Sequence, residues 1–317
     1  MKERNANLDV LRCFAMFLVV LVHSYQFGEY WHASWGLDFL YLLLIRWQVD
    51  AFLALSGWFG MKFSLKKFGK LWGLVAFYSA ISIVVGRFIM GVATPIKIDG
   101  GWFGNAYLCL LLIVPFLNAG IEGLVAKGAK VAWLAWFGFA AMITINWISP
   151  TAYFGISAWD VHSHSLVQMV FVYFTVRLFK LTGIIKHVQL WHVLATVGIF
   201  VIGCLILGTW RTDYIAPYVV AMAVAMLVLF ERFLKFPEWV GRFCVWMAPS
   251  MFGVYLLHGC SFGKALLSVP AKYLAGRGVP PMLVIFLSAV ACFAICLALD
   301  LVRRYSLRGI IAICKRR

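Results

Sequence analysis

Charge is what this sequence has least of. Only 13% of its 317 residues are Asp, Glu, Lys or Arg, against about a quarter in a soluble domain. The 12 acidic residues are outnumbered by 28 basic ones. That scarcity excludes an ordinary water-soluble globule. With 64% hydrophobic residues in long runs from end to end, the expected solvent is lipid. No P-loop, GxGxxG or GxSxG motif occurs, so three common signals of nucleotide binding and acyl-ester hydrolysis are missing. CxxC pairs are missing too. Most of the eight cysteines (Cys13, Cys109, Cys204, Cys244, Cys260, Cys292, Cys296 and Cys314) lie in apolar runs and read as reduced, small apolar fillers. Cys292 and Cys296, four apart on one helix, are poorly placed to bridge. The first apolar run has a basic start but no small-residue cleavage site, since Tyr25, Gln26, Phe27 and Glu29 stand where one would be. It is expected to be retained as a membrane helix. No repeat of fixed period and no low-complexity tract occurs.

What is present are ten predicted spans, at about 8–26, 39–59, 69–91, 102–121, 131–148, 165–180, 189–207, 214–230, 247–267 and 281–301. The loops between them are too short for a soluble domain, so a single membrane domain is expected over 1–317, with 302–317 a basic tail. Basic residues test the count. With the N-terminus inside, 20 of them fall in cytoplasmic segments and six in outer ones, which predicts an N-in, C-in chain with an even number of helices. The net charge of +16 then reads as orientation plus attraction for anionic lipid or cofactor phosphates, with no nucleic acid partner. The stretch from Asp300 onward is expected to form a basic amphipathic helix lying on the lipid surface. The fold class is all-α, a polytopic membrane helix bundle.

Ionisable groups at membrane depth are costly and mark pathways or sites. The first span holds Asp9, Arg12 and His23. At about 100° per residue, Arg12 and His23 are about 20° apart on the helix wheel, and Asp9 is within about 40° of His23. The three form one stripe, which Gln26 continues. Asp9 and Arg12, three apart, can pair. Arg12 and His23 are separated by a rise of about 16 Å, which puts Arg12 near the cytoplasmic surface and His23 in the outer half of the bilayer. Two readings fit: a pathway with chemistry at His23, or an Arg12 that snorkels and a His23 that bonds a neighbouring helix. In the second span Arg46 and Asp50 are one turn apart and read as an ion pair, structural or functional. They are high enough to neighbour His23. Ser56 and Gly57 below them permit close approach of a helix or ligand. Tyr255 and His258 share a face of the ninth span. His162-x-His164, with Asp160, lacks the further ligands of a metal site, and no metal is expected. Gly100-Gly101 before Trp102 reads as a loop breaker.

Asp9, Arg12, His23, Asp50, Ser56, Gly57, Trp102, Tyr255 and His258 lie in five stretches that together resemble the acyltransferase 3 family of bacterial membrane acyltransferases, especially its surface-polysaccharide O-acetyltransferase branch. They are 8–24 (LDVLRCFAMFLVVLVHS), 49–60 (VDAFLALSGWFG), 63–78 (FSLKKFGKLWGLVAFY), 102–118 (WFGNAYLCLLLIVPFLN) and 250–258 (SMFGVYLLH). The first keeps Asp9, Arg12 and His23 at the family spacing, whereas about 120–245 matches only as a hydrophobic pattern. The resemblance implies transfer of an acyl group, most simply acetyl, from cytoplasmic acyl-CoA to a hydroxyl of an extracytoplasmic glycan or lipid-linked sugar. The setting would be the bacterial cytoplasmic (inner) membrane. It implies that His23 is catalytic and that Arg12, beside Asp9, helps hold the donor. Asp50 and Ser56 fall in its second block, Trp102 in its third, and Tyr255 and His258 in its last. Many relatives carry Arg-x-Arg after the second span. Here Lys66, Lys67 and Lys70 stand instead and attract phosphate without arginine's bidentate fork.

The expected mechanism follows. Acyl-CoA is drawn in by the lysines and Arg12, with Ser56 near its path. His23 acts as general base, or alternatively as an acyl carrier. Asp50 is the candidate to orient it, and Arg46, Trp102, Tyr255 and His258 would face the acceptor. No permanently bound cofactor is expected. Intramembrane charge alone fits a glycan or lipid flippase equally well, and an inactive assembly partner is a third reading. The acyl group, the acceptor sugar and the oligomeric state, a homo-oligomer included, stay open at this level.

Overall fold

In lipid every backbone N–H and C=O has to be satisfied within its own segment, and apolar runs of this length do so as helices. A computed structural model describes residues 5–30, 34–44, 46–89, 91, 96–148, 165–211 and 213–314; His162, His164 and Asp160 lie outside them. Among the described residues no strand occurs. In chain order the helices are α1 (Ala6–Phe27), α2 (Trp35–Leu44), α3 (Trp47–Phe59), α4 (Leu65–Val84), α5 (Gly101–Ala126), α6 (Ala129–Ile148), α7 (Leu166–Leu181), α8 (Leu190–Arg211), α9 (Pro217–Val228), α10 (Glu238–Met247), α11 (Met251–Gly259), α12 (Ser261–Gly276) and α13 (Pro281–Cys314). Their starts follow local chemistry. Asn5 caps α1 by accepting from the Asn7 N–H at 3.1 Å, and Asp9 lies in the first turn, where the helix dipole favours an anion. Ser64 and Ser165 cap α4 and α7 in the same way, from the N–H groups of Lys67 and Gln168.

Among the described residues, eight segments are long and apolar enough to cross a membrane. Each has a counterpart among the ten expected spans. The other two expected spans are α7 and α9, of 16 and 12 residues. Their brevity has a packing reason. On α7, Phe171 to Val176 form an unbroken buried stretch, so protein rather than lipid surrounds it. The lipid-type surface is carried by other helices, where Phe116 of α5, Leu134 of α6, Ile206 of α8 and Phe286 of α13 are exposed. Such side chains facing water over several neighbouring helices would be an aggregation liability; facing hydrocarbon they cost nothing.

The middle of the bundle is α1, α3 and α7, with α3 packed on both of the others and α1 also against α10, α11, α12 and α13. The α3–α7 contact depends on Gly57. A Cβ placed there would come 2.7 Å from the Tyr173 carbonyl oxygen and 3.2 Å from Val176 Cβ. Backbone cannot swing away as a side-chain tip can. Gly57→Ala is therefore expected to push α3 from α7 and destabilise the fold by about 1–3 kcal/mol, measurable as a lower midpoint of thermal unfolding in detergent.

Three expectations about helix continuity are corrected. The second span is two helices, because Arg46 takes φ +74° and no helix continues through that conformation. The ninth, expected over 247–267, is displaced: the membrane-length segment is Glu238–Gly259. Cys260 is extended, and Gly263 of α12 packs so closely on the last turn of α11 that a Cβ would meet the His258 Cα at 2.3 Å. The expected surface helix from Asp300 onward does not begin there, since α13 runs unbroken from Pro281 to Cys314. Asp300 is fully buried. It accepts from the Tyr78 hydroxyl at 2.6 Å and from Arg303 Nη2 at 2.8 Å, so helix and tail are tied to the core where the surface segment was expected to start.

Candidate active site

The polar stripe of α1 is real geometry, and its two ends have different surroundings. At the start of the helix Asp9, 4% exposed, takes an ion pair from Arg12 Nη1 at 2.6 Å. A charge-assisted bond of this kind fixes the guanidinium and leaves its remaining N–H groups a defined direction. Arg12 opens onto a cavity of about 370 Å³, within the range of roughly 300–1,000 Å³ usual for small-molecule sites. Its wall is mostly apolar, with Ser56, Tyr107 and Tyr255 as the other polar members. Ser56 Oγ donates to the Phe52 carbonyl at 2.8 Å and lies 3.0 Å from the Tyr107 hydroxyl. The cavity thus runs from Arg12, Met61 and Leu71 at one end to Val49, Phe103 and Tyr255 at the other.

His23 stands just beyond the Tyr255 end. Its Nδ1 is 2.7 Å from Nε2 of His258, and the two rings stack with centroids 4.9 Å apart. His258 is fully buried, and its Nδ1 lies 3.0 Å from the Val254 carbonyl oxygen. The Tyr255 ring meets the His258 ring edge-on at 5.7 Å, which joins the cavity to the histidine pair.

Asp50 is also fully buried, but its hydrogen-bond partner is Gln168 of α7. The His23 partner expected on α3 is found on α11 instead. The expected Arg46–Asp50 pair is likewise replaced: Arg46 Nη1 binds Asp213 at 2.7 Å and the guanidinium lies over the Tyr214 ring at 5.3 Å. The left-handed turn at Arg46 accounts for this, because it separates Arg46 from the helical register that would have stacked it over Asp50. Tyr214 in turn packs on Trp102, ring centroids 5.2 Å apart.

Trp102 is placed by the turn before α5. Gly101 has φ +65°, and a Cβ there would sit 2.8 Å from the Tyr255 hydroxyl. The glycine pair is therefore a close approach to the site as well as a loop breaker. Asp99 holds this turn by accepting from the Gly101 N–H at 2.8 Å and pairing with Lys97 at 2.7 Å. The Lys97 ammonium, opposed by partial burial and helped by the Gly101 N–H, keeps the Asp99 carboxyl below its usual range. The stability it lends is present above the ordinary carboxylate pKa and fades as pH falls through the depressed one.

Lys66, Lys67 and Lys70 are exposed on the first turns of α4, and Leu71 beside them lines the cavity. They stand at its Arg12 end without a direct contact to Arg12. A larger cavity of about 630 Å³ between α6, α7, α8 and α9 has an almost wholly apolar wall, with His192 its one ionisable side chain. It holds none of the expected site residues. Among the described residues no three His, Cys, Asp or Glu side chains converge as metal ligands.

A family model, the acyltransferase domain Acyl_transf_3, matches residues 5–301. The chain belongs to the acyltransferase 3 family. No curated protein and no solved structure matches it. For an acyltransferase 3 membrane protein, the arrangement offers a guanidinium held by Asp9, a mostly apolar cavity and, past Tyr255, a pair of imidazoles. Sequence reasoning missed Gln168, Asp213 and Tyr214. None of them sits in a motif, and only the unusual placing of Asp213-Tyr214 at a span boundary could have drawn notice to two of them.

Proposed function

We propose that this protein is a membrane O-acyltransferase that moves an acyl group, most simply acetyl, from cytoplasmic acyl-CoA to a hydroxyl of an extracytoplasmic glycan. The observation that carries the reading is the cavity with Arg12 at one end and, past Tyr255, the His23–His258 pair at the other. Basic-residue bias supports an N-in orientation, which puts Arg12 and the α4 lysines on the cytoplasmic side. A CoA phosphate there would meet Arg12, with Lys66, Lys67 and Lys70 raising the local anion concentration. The apolar wall suits the uncharged pantetheine arm and excludes water from the thioester.

At the far end, the acceptor hydroxyl gives its proton to His23 as its oxygen attacks the thioester carbonyl carbon. The C–S bond then breaks, and the departing CoA thiolate takes that proton from the imidazolium. The products are an O-acyl sugar and free CoA, with no net proton released. General-base assistance of this kind contributes about 10²–10⁴-fold. Trp102, Tyr214 and Arg46 lie on the same side of the bundle and offer ring faces and donors to a sugar.

The test uses the purified full chain in lipid nanodiscs with radiolabelled acetyl-CoA, alongside mass spectrometry of the surface glycan from cells with and without the protein. Turnover of the donor, together with loss of one acyl mass from the glycan in the deletion, is expected. A flippase would give no donor turnover, and that result overturns the reading.

A further inference from the structure

The histidine pair carries more information than proximity, because a backbone carbonyl at its far end can only accept. His258 Nδ1 lies 3.0 Å from the Val254 oxygen, so it must bear the proton of that bond. A neutral imidazole has one N–H, which leaves His258 Nε2 with a lone pair. That nitrogen is 2.7 Å from His23 Nδ1, and two lone pairs do not approach so closely. His23 Nδ1 therefore carries a proton and donates it to His258. The remaining nitrogen of His23, Nε2, is then bare, and among the described residues nothing hydrogen-bonds to it. One carbonyl sets the tautomer of two rings in series.

The surroundings hold this chain of bonds in place. His258 is fully buried, the start of α12 presses on its backbone through Gly263, and Tyr255 stands against its ring edge. His23 is stacked on His258 and also lies near the Phe27 ring, at 5.3 Å. The ammonium of Lys264 sits over that same Phe27 ring, so the nearby charge is a cation. No carboxylate hydrogen-bonds either imidazole among the described residues, and the orienting acceptor that a catalytic histidine usually finds in a carboxylate is here another histidine.

We infer that His258 is a positioning residue that fixes His23 as its Nδ1–H tautomer and turns Nε2 toward the reacting groups. The role rests on the acyl-transfer reading given above, and it serves that reaction in either form, since a general base and an acyl-carrying nucleophile both need the Nε2 lone pair. When Nε2 takes the acceptor's proton, the Nδ1–H bond to His258 strengthens, because the donor is now an imidazolium. This interaction is stronger in the charged state than in the resting one, which is the condition for it to speed the reaction. The Nδ1–H form is the less favoured tautomer of a free imidazole, so it signals a partner at that nitrogen.

Two measurements test this. The first is ¹⁵N NMR of the full chain labelled with ¹⁵N-histidine in nanodiscs, at a pH where both rings are neutral, with His23 and His258 assigned from single variants. A protonated Nδ1 and unprotonated Nε2 on His23 are expected in the wild type. In His258→Phe, which keeps a ring of similar size but no acceptor, His23 should shift toward the Nε2–H form. The second is kinetics. His258→Phe should lower kcat by about 100-fold, within the range that a misplaced general base forfeits, while KM for acetyl-CoA changes by less than about twofold. His258→Gln restores a side-chain oxygen acceptor and should recover about tenfold of that loss. A wild-type His23 that carries its proton on Nε2 overturns the inference even if acyl transfer is robust. So does a His23 tautomer identical in wild type and His258→Phe. If the Nδ1–H tautomer is found but the wild type turns over no acyl-CoA, the reaction is wrong and the tautomer assignment stands.

Discussion

Replacing His23 by alanine is expected to abolish detectable acyl transfer while the protein still inserts and accumulates. Among the described residues His23 is the imidazole just past the Tyr255 end of the cavity that keeps a nitrogen unengaged, so its loss removes the whole general-base contribution of about 10²–10⁴-fold. The structural penalty is smaller. His258 Nε2 would lose the partner now 2.7 Å away, a cost of about 1–3 kcal/mol for a buried unpaired acceptor, which a water entering the vacated ring space would reduce. Glycan acylation in a strain lacking other acyltransferases, scored by mass spectrometry with the variant's membrane level checked by immunoblot, decides the matter. Normal acylation in that strain would sink the assignment of His23.

Arg12→Ala should act at the opposite end and on a different parameter. A charge-assisted hydrogen bond to phosphate is worth about 1.5–3 kcal/mol, or roughly 10- to 100-fold in affinity. The expected result is that acyl-CoA binds about 10- to 100-fold more weakly, with kcat for bound donor nearly unchanged. Titration calorimetry with a non-transferable acyl-CoA analogue would measure it. Arg12→Lys separates charge from geometry: the ammonium keeps the attraction and loses the planar fork that pairs with Asp9 at 2.6 Å, so an intermediate affinity is expected. Unchanged binding in Arg12→Ala would mean that the arginine serves only its ion pair.

How much of this was legible beforehand depended on whether a feature is local. The α1 stripe could be read because 3.6 residues per turn fixes which side chains share a face. The close contact at Ser56-Gly57 could be read because small residues announce it. Hydropathy located seven of the eight membrane-length segments and displaced the eighth, Glu238–Gly259. The partner of His23 could not be read, since His258 is 235 residues away and several helices separate them in sequence. Nor could Gln168, which reaches Asp50 from a helix of only 16 residues. Local spacing even misled: Arg46 and Asp50 have the helical interval of an ion pair, but the backbone turns left-handed at Arg46 and hands it to Asp213. The extension of α13 past Asp300 was hidden for a related reason, because a buried Asp with an arginine three residues on looks from sequence like the polar edge of a surface helix.

The shortness of α3 and α7 bears on how the bundle meets the bilayer. At 1.5 Å per residue, their 13 and 16 residues span only about 20 and 24 Å, against a hydrocarbon thickness of about 30 Å. Because both are wrapped by other helices, no lipid has to thin to match them, and the outer helices can meet the full bilayer. Beside them α1, with 22 residues, spans about 33 Å, so the full crossing of the bilayer falls to α1 and the outer helices, and the short pair is held in place by its neighbours alone.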